Sequence, residues 1–308
     1  MMNSPMITIL GPTACGKTAV ATQLAAKLGN AEIISADSRQ VFRGMDIGTG
    51  KDLSDYEVDG QHIPYHLIDI AEAGTKYSVF EFQRDFLRAY ENICSREHKV
   101  ILCGGTGLYI ESVLRAYKLV EVPINPKLRE KLEHRDLKEL TKILSTYKSL
   151  HNITDVDTAR RAIRAIEIEA YYQEHHIDET QPFPKIPSLT IGLNIPRELR
   201  RERISQRLRK RLEEGMVEEV QRLLDSGVPA EALISYGLEY RYITFYLTRQ
   251  LSYDEMVRQL EIAIHQFAKR QMTYFRGMER RGVKIHWVDA TQPIKGIVEQ
   301  ITDHLTSM

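Results

Sequence analysis

The chain has 308 residues, of which 43% are hydrophobic and 27% charged, as in a typical soluble globular protein. Its 42 basic and 42 acidic side chains cancel, so attraction to nucleic acid or membrane requires a local patch. There is no secretory-signal pattern at the N-terminus, no apolar run of membrane-spanning length, and no metal-ligand spacing among the three cysteines. We therefore expect a cytoplasmic protein with reduced thiols and no membrane contact.

Apolar runs alternate with helical patterns in the first third of the chain. Val20, Leu24 and Leu28 recur every four residues, which predicts a helix directly after the first apolar run. Strands alternating with helices favour a parallel sheet covered on both faces. The predicted strands are Met6–Leu10, 32–36, a weaker one at 65–70, and 99–103, and the further helices are 79–91 and 108–114.

The pattern changes after Pro123 and Pro126. Residues 127–172 are charged and helical, 178–187 read as a loop, and a strand is predicted at 188–195. The rest is mostly helix, closed by a strand at 283–289 and a tail helix. The simplest interpretation is an α/β core formed by 1–119 and 187–308, with a helical insertion domain at 120–186.

A phosphate-binding loop is predicted directly after the first strand. The sequence GPTACGKT fits the spacing GxxxxGK[ST] between a strand and a helix, which favours a P-loop NTPase-like sheet. Its backbone N–H groups converge on an anion, and the helix N-terminus adds partial positive charge. Lys17 is expected to reach the outer phosphate and the Thr18 hydroxyl to ligate Mg²⁺. The predicted loop residues are Gly11, Pro12, Thr13, Ala14, Cys15, Gly16, Lys17 and Thr18.

Such loops usually hold ATP or GTP, with a carboxylate for Mg²⁺ after a later apolar strand. The run 99–103 ends in glycines, and Asp69 is a weak substitute. Asp37 directly follows the strand 32–36, so Asp37 and Lys17 are expected to face one crevice. A turn or helix-cap role for Asp37 is an equal alternative. The glycine turn 104–107 offers N–H donors and the Thr106 hydroxyl, a weak signal alone.

Several longer motifs resemble the tRNA dimethylallyltransferases over nearly the whole chain. They include ILGPTACGKT, IISADSRQVFRGMDIGTGK, HLIDI, CGGTGLYIESVL, RAIRAIEI and AKRQMTYFRG. The resemblance implies transfer of a dimethylallyl group from dimethylallyl diphosphate to N6 of the adenosine 3′ of the tRNA anticodon. The P-loop then holds the leaving diphosphate with Mg²⁺, and a carbon–oxygen bond breaks.

The resemblance also implies roles for individual residues. Asp37 becomes the base that takes the N6 proton, with Lys17, Thr18 and Thr106 as further catalytic residues. Arg203 and Arg207 join the P-loop in binding diphosphate, although a solvated amphipathic helix is the ordinary explanation for most arginines in 197–211. The implied tRNA-binding residues are Asp37, Ser38, Arg39, Gln40, Thr106, Arg129, Arg160, Arg161, Ala162, Ile163, Arg164, Lys269 and Arg270.

The chain departs from the family pattern only where tRNA is expected to bind. The departures are Asp157–Thr158, Leu238, Ile264–His265 and Tyr274. Three alternatives stay open: prenylation of free adenine nucleotide, a P-loop kinase, and an RNA-binding protein whose P-loop senses nucleotide. We expect a monomer that binds the tRNA anticodon stem-loop.

Overall fold

The computed structural model describes residues 5–148, 156–175 and 183–306. The strands are β1 Met6–Leu10, β2 Ala31–Ser35, β3 Glu57–Val58, β4 Gln61–His62, β5 Tyr65–His66, β6 Lys99–Gly104, β7 Ser188–Asn194 and β8 His286–Asp289. The helices are α1 Lys17–Leu28, α2 Val79–Ser95, α3 Gly107–Leu114, α4 Pro126–Leu132, α5 Leu137–Tyr147, α6 Ala159–His175, α7 Arg197–Glu213, α8 Met216–Asp225, α9 Ala230–Tyr236, α10 Leu238–Leu247, α11 Tyr253–Arg280 and α12 Ile294–Thr306.

In the described part of the chain, six parallel strands form a sheet in the order β5-β2-β6-β1-β7-β8. β3 and β4 form a separate antiparallel hairpin. β1 and β2 are buried along their whole length and β6 from Val100 onward, because helices cover both faces. The predicted α/β class, a parallel sheet flanked by helices, is confirmed.

Alternate residues along each strand point to opposite faces of the sheet. Ile7 and Ile9 of β1 pack with Val20 and Leu24 of α1 and with α12 in one apolar core. A second core lies beneath α7 to α11 and includes Phe42 and Tyr240. This second core fixes the helices that stand over the carboxyl edge of the sheet.

The chain folds as two compact units. One comprises Met1–Tyr117 and Pro184–Met308 in their described parts, and the other is Lys118–Phe183. The smaller unit contains α4, α5 and α6 around a core with Leu140, Leu144 and Ile166. Of the predicted loop 178–187, residues 183–187 have neither helix nor strand, and 178–182 lie outside the described residues.

The weak strand prediction at 65–70 corresponds to two paired residues, Tyr65 and His66. Leu67 and Asp69 adopt left-handed φ angles of 62° and 55°, which end the strand. The strand predicted at 283–289 is limited to β8.

Candidate active site

Three loops leave the same edge of the sheet. Leu10 at the end of β1 aligns with Gly104 at the end of β6, and Ser35 at the end of β2 aligns with Cys103. The P-loop (Gly11–Thr18), the segment after β2 and the glycine turn 104–107 therefore begin side by side. This is the carboxyl edge, where parallel α/β sheets bind ligands.

The P-loop wraps around the N-terminus of α1. Ala14 and Gly16 have φ angles of 63° and 86°, and at position 16 glycine adopts this conformation without strain. No side chain caps α1, so the first N–H groups of the helix face the loop interior. Lys17 Nζ donates to the Pro12 carbonyl at 2.9 Å and lies 4.0 Å from Cys15 Sγ. The loop thus gathers N–H donors and an ammonium group around one space.

Asp37 and Thr106 belong to one hydrogen-bonded arrangement. Asp37 Oδ1 accepts the Arg39 backbone N–H at 2.8 Å, and Thr106 Oγ1 accepts the Ser38 N–H at 3.0 Å. The Thr106 N–H donates to the Ala36 carbonyl at 3.2 Å. A Cβ at Gly104 would lie 2.3 Å from that carbonyl oxygen, so this contact requires glycine. The Asp37 carboxylate makes a turn bond with one oxygen and keeps Oδ2 without a partner among the described residues.

Charged groups at this edge of the sheet affect the pKa of the buried Cys103 thiol. Burial raises the pKa of Cys103 to about 12, while the charge of Lys17 lowers it and Cys15 and Asp37 raise it. Lys17 and Asp37 therefore both act on the same thiol.

Helix α7 carries a row of arginines past the P-loop. Arg200, Arg203, Arg207 and Arg211 recur at three- or four-residue spacing and so share one face. Arg207 Nη2 donates to the Thr13 hydroxyl. Burial, followed by the nearby Arg211, lowers the pKa of Arg207 to about 10, which leaves it cationic at neutral pH. Within the described residues Arg200, Arg203 and Arg207 form no ion pair.

Arg211 ends this row in a structural role. It is buried, packs against Gly50 and donates to Asp52 Oδ2 at 3.1 Å. Glu239, at the start of α10, adds a carboxyl group that the sequence did not assign. Burial raises the pKa of Glu239, Arg211 and Arg207 lower it, and Asp37 raises it. The carboxyl group of Glu239 therefore interacts electrostatically with both α7 and Asp37.

The predicted RNA-binding residues in the larger unit differ in their exposure. Ser38, Arg39 and Gln40 are half-buried, whereas Lys269 and Arg270 are exposed on α11. Gln40 accepts from Ser35 Oγ at 2.9 Å and donates to the Gly50 carbonyl at 3.0 Å, so its amide fixes the loop. Burial lowers the pKa of Arg39, while Asp37 raises it.

The predicted RNA-binding residues of the smaller unit divide into structural and exposed groups. Glu167 is buried and accepts from Arg129 at 2.8 and 3.0 Å and from Arg164. Burial raises the pKa of Glu167, but these arginines and the Asn125 N–H lower it to about 2. Ala162 lies in the apolar core and Ile163 packs against it, so the Ala162 side chain offers no surface to RNA. Arg160 and Arg161 are exposed, and Arg161 pairs with Asp157.

The departures from the family pattern occupy defined places in the structure. Asp157 pairs with Arg161, and Thr158 Oγ1 accepts the Arg161 N–H at 3.3 Å. Ile264 is buried in the core, and the neighbouring His265 has its Nε2 3.8 Å from Glu261. Leu238 opens α10 and packs against the core beneath α7 to α11.

Tyr274 of α11, the remaining departure from the family pattern, packs against α3. Its ring lies against Gly107, and its hydroxyl donates to Glu111 Oε2 at 2.7 Å. Arg281 binds the same buried carboxylate at 2.6 and 2.9 Å. Tyr274 therefore joins the helix of the glycine turn to α11.

Buried charges that sequence reasoning did not assign hold the segment after Asp37 in place. Lys51 Nζ is 2.6 Å from the Phe42 carbonyl and Asp46 Oδ1 and also binds Asp69. Asp69 is thus the partner of a buried lysine. Glu219 of α8 accepts the N–H groups of Asp46, Ile47 and Gly48 at 2.8 to 3.1 Å, and the Tyr240 hydroxyl at 2.6 Å.

Gln271 of α11 joins two of the three loops directly. Its Oε1 accepts the Thr13 N–H at 2.8 Å, and its Nε2 donates to the Gly105 carbonyl at 3.0 Å. The only sequence signal for it was its place in the AKRQ motif. Its partners lie 258 and 166 residues away along the chain, so spacing alone does not reveal them.

The residues of this site suit a magnesium ion that is coordinated mainly by phosphate oxygens of a bound substrate. Across the described ranges, no group of three His, Cys, Asp or Glu side chains forms a metal site. The Thr18 hydroxyl is half-buried at the start of α1. Mg²⁺ commonly takes one or two protein oxygens together with substrate phosphates and water, and this donor set suits that mode.

Comparisons with known proteins decide the family. The model of the family described as IPP transferase matches residues 40–278. The chain belongs to this family. It is similar to tRNA dimethylallyltransferase 2 of Phocaeicola vulgatus, with 64% identity and 97% of each chain covered. It is also 64% identical to tRNA dimethylallyltransferase 1 of Parabacteroides distasonis, over 95% of each chain. The family resemblance that the sequence motifs indicated is therefore confirmed.

Solved structures of the IPP transferase family share this fold. The full-length tRNA isopentenylpyrophosphate transferase from Bacillus halodurans is 30% identical, with a TM-score of 0.71 over 99% of this chain and 98% of that one. A eukaryotic dimethylallyltransferase acting on tRNA is 24% identical, with a TM-score of 0.75 over 94% of this chain and 74% of that one, a likeness of fold. The family match begins at Gln40, so the P-loop and Asp37 precede it.

Proposed function

We propose that the protein transfers the dimethylallyl group of dimethylallyl diphosphate to N6 of the adenosine 3′ of the tRNA anticodon, releasing diphosphate. The observation that carries the proposal is the meeting of the P-loop, Asp37 and Thr106 at one sheet edge. The chain is also 64% identical over 97% of its length to a protein named as a tRNA dimethylallyltransferase. Among P-loop proteins this favours a prenyltransferase over a kinase.

The acceptor amine needs a base, because the lone pair of N6 is delocalised into the adenine ring. Asp37 supplies it: Oδ1 is fixed by the Arg39 N–H, and Oδ2 takes the proton as the bond from N6 to C1 of the dimethylallyl group forms. Thr106 accepts the Ser38 N–H and so holds the loop that carries Asp37. The carboxylate is thus oriented before the substrate arrives.

The leaving diphosphate gains negative charge as the bond from C1 to oxygen breaks. The P-loop N–H groups and Lys17 stabilise that charge, and Lys17 exchanges the Pro12 carbonyl for a phosphate oxygen. Arg207, anchored on Thr13, and Arg203 one turn earlier add positive charge. Mg²⁺, when bound at Thr18, neutralises part of the diphosphate charge.

The tRNA is held by local positive charge, since the chain as a whole is neutral. Lys269 and Arg270 on α11 and Arg160 and Arg161 on α6 are exposed and suited to phosphate contacts. The adenine must leave its stack to reach Asp37, and contacts in the pocket offset a cost of a few kcal/mol. Arg129 and Arg164 are paired with Glu167 and keep partly exposed side chains that can also face the tRNA.

The identity of the prenyl acceptor distinguishes this function from the nucleotide prenyltransferase and kinase alternatives. Wild-type protein is incubated with Mg²⁺ and dimethylallyl diphosphate labelled in the prenyl group, with tRNA, AMP or no acceptor. We expect label in tRNA alone, on the adenosine 3′ of the anticodon. Label in AMP but not in tRNA would overturn the substrate, and ATP consumption without transfer of label would indicate a kinase.

We further propose that the enzyme acts in the cytoplasm as a monomer. Each proposed catalytic side chain comes from the larger unit of a single chain, so the site needs no second copy. Among the described residues, no helix has the length and apolarity to cross a membrane. Light scattering during size-exclusion chromatography that gave twice the chain mass would contradict the monomer.

A further inference from the structure

We propose that Gln271 is a positioning residue that couples the diphosphate-binding loop to the loops of the acceptor side, an inference that rests on the function proposed above. Gln271 is 9% exposed, and its carboxamide makes one hydrogen bond to each loop. The Thr13 N–H donates to Oε1 at 2.8 Å, and Nε2 donates to the Gly105 carbonyl at 3.0 Å. One side chain thus bridges the two loops.

Both ends of this bridge lead to groups of the reaction. On the P-loop side, the Thr13 hydroxyl also receives Arg207, so Thr13 is held through its backbone and its side chain. On the other side, Gly105 precedes Thr106, whose hydroxyl accepts the N–H of Ser38 beside Asp37. A continuous chain of hydrogen bonds and peptide bonds therefore runs from the diphosphate site to the base.

This chain sets the separation between the leaving group and the base. Transfer requires N6, C1 and the leaving oxygen to lie in line, and a displacement of about 1 Å can reduce a rate by about 10²-fold. The P-loop and the glycine turn follow different strands, and Gln271 bonds directly to both. Loss of the bridge therefore affects the chemical step more than the binding of either substrate.

The first test removes both hydrogen bonds while keeping the size of the side chain. For Gln271→Met we expect kcat to fall about 30-fold or more, with the KM for dimethylallyl diphosphate and the Kd for tRNA within about threefold of wild type. Gln83→Met is the matched control. Gln83 is 5% exposed and donates to the Ser112 and Tyr117 carbonyls at 2.9 and 2.8 Å, outside the three loops.

Comparison of the two variants separates positioning from a structural role. Gln83→Met should lower the thermal midpoint about as much as Gln271→Met while leaving kcat within about twofold of wild type. A wild-type kcat for Gln271→Met would overturn the proposal. Equal losses of kcat in both variants would show a structural role only and would also overturn it.

A second variant tests the bridge even if Gln271→Met folds poorly. In Gln271→Glu, an ionised carboxylate accepts the Thr13 N–H but repels the Gly105 carbonyl, whereas a protonated one again donates to it. At pH 8, where the carboxyl group is ionised, the kcat of this variant should be at least fivefold below that of wild type, and the ratio of the two should rise as the pH falls toward the carboxyl pKa. Lys17, Asp37, Arg207, Cys15 and Cys103 are present in both proteins, so the comparison with wild type isolates the change at position 271.

A ratio near one at pH 8 would overturn the coupling role of Gln271. The same assay separates this failure from failure of the proposed function, because transfer of label to tRNA by wild-type protein is measured alongside. Wild-type transfer with a ratio near one at pH 8 removes only the inference. Absence of wild-type transfer removes the function itself.

Discussion

Three charged residues of the site, Lys17, Arg207 and Asp37, are each bonded to a neutral group. Lys17 donates to the Pro12 carbonyl, Arg207 to the Thr13 hydroxyl, and Asp37 accepts the Arg39 backbone N–H. None of the three forms an ion pair within the described ranges, in contrast to Lys51 and Glu167. Their charges are held in place without being neutralised. They therefore remain available to a leaving diphosphate and to an amine that loses a proton.

The base assignment is tested by Asp37→Asn, which keeps the size and an acceptor for the Arg39 N–H but removes the proton acceptor. We expect kcat to fall by about 10²- to 10⁴-fold, the range for loss of a general base. The dissociation constants for tRNA and for diphosphate should stay within about threefold of wild type. Turnover like that of wild type would show that another group takes the proton.

Among the structural elements, α8 and α11 matter for the site although neither carries a proposed catalytic residue. Glu219 of α8 caps three consecutive N–H groups, of Asp46, Ile47 and Gly48, and Gln271 of α11 spans two loops. These helices reach the site because the core beneath α7 to α11 holds them over the sheet edge. Long-range packing thus orders the loops.

Glu219→Gln tests this dependence on α8. Glu219 is 3% exposed, and an amide in its place presents N–H groups to N–H groups, so we expect the free energy of unfolding to fall by roughly 2–4 kcal/mol. Glu218→Gln is the control, since Glu218 is exposed on the same helix. Urea denaturation measures both. Equal stability of the two variants would contradict the capping role.

The sequence predicts those elements that produce a recognisable pattern within one short segment of the chain. Continuous apolar runs predicted β1, β2 and β6, because buried parallel strands are apolar on both faces. The hairpin of β3 and β4 was not predicted, because two-residue strands have no periodicity. The sequence showed the charges of Arg129 and Arg164 but not their shared partner, Glu167. The order of the strands and the bridge at Gln271 depend on packing between distant segments.

At the scale of the whole molecule, the neutral chain distributes its charges unevenly. The arginine row of α7 has few acidic neighbours, while buried carboxylates elsewhere collect several cations. Glu32, at the start of β2, accepts from Arg96 at 2.7 and 2.9 Å and from His66 and His98 at 2.7 Å. Burial raises the pKa of Glu32, but these partners lower it to about 2.

The lowered pKa of Glu32 predicts how acid destabilises the larger unit. Because its pKa is lower folded than unfolded, its stabilisation is complete above the unfolded value of 4.5 and is lost as the pH falls toward 2. We expect Glu32→Gln to be less stable than wild type at pH 7 by roughly 3 kcal/mol, a difference that shrinks between pH 4.5 and 3. The control is Glu91→Gln, at an exposed position of α2. A difference that did not change with pH would contradict this role.

The bond that breaks in the donor tests the role of the P-loop most directly. Dimethylallyl diphosphate carrying ¹⁸O between C1 and phosphorus is incubated with the wild-type protein, Mg²⁺ and tRNA, and the products are analysed by mass spectrometry. If the P-loop holds a departing diphosphate while Asp37 accepts the N6 proton, all of the ¹⁸O appears in diphosphate and the prenylated adenosine contains none. Recovery of ¹⁸O in dimethylallyl alcohol, with unmodified tRNA, would show that the bond to phosphorus breaks and would contradict the mechanism.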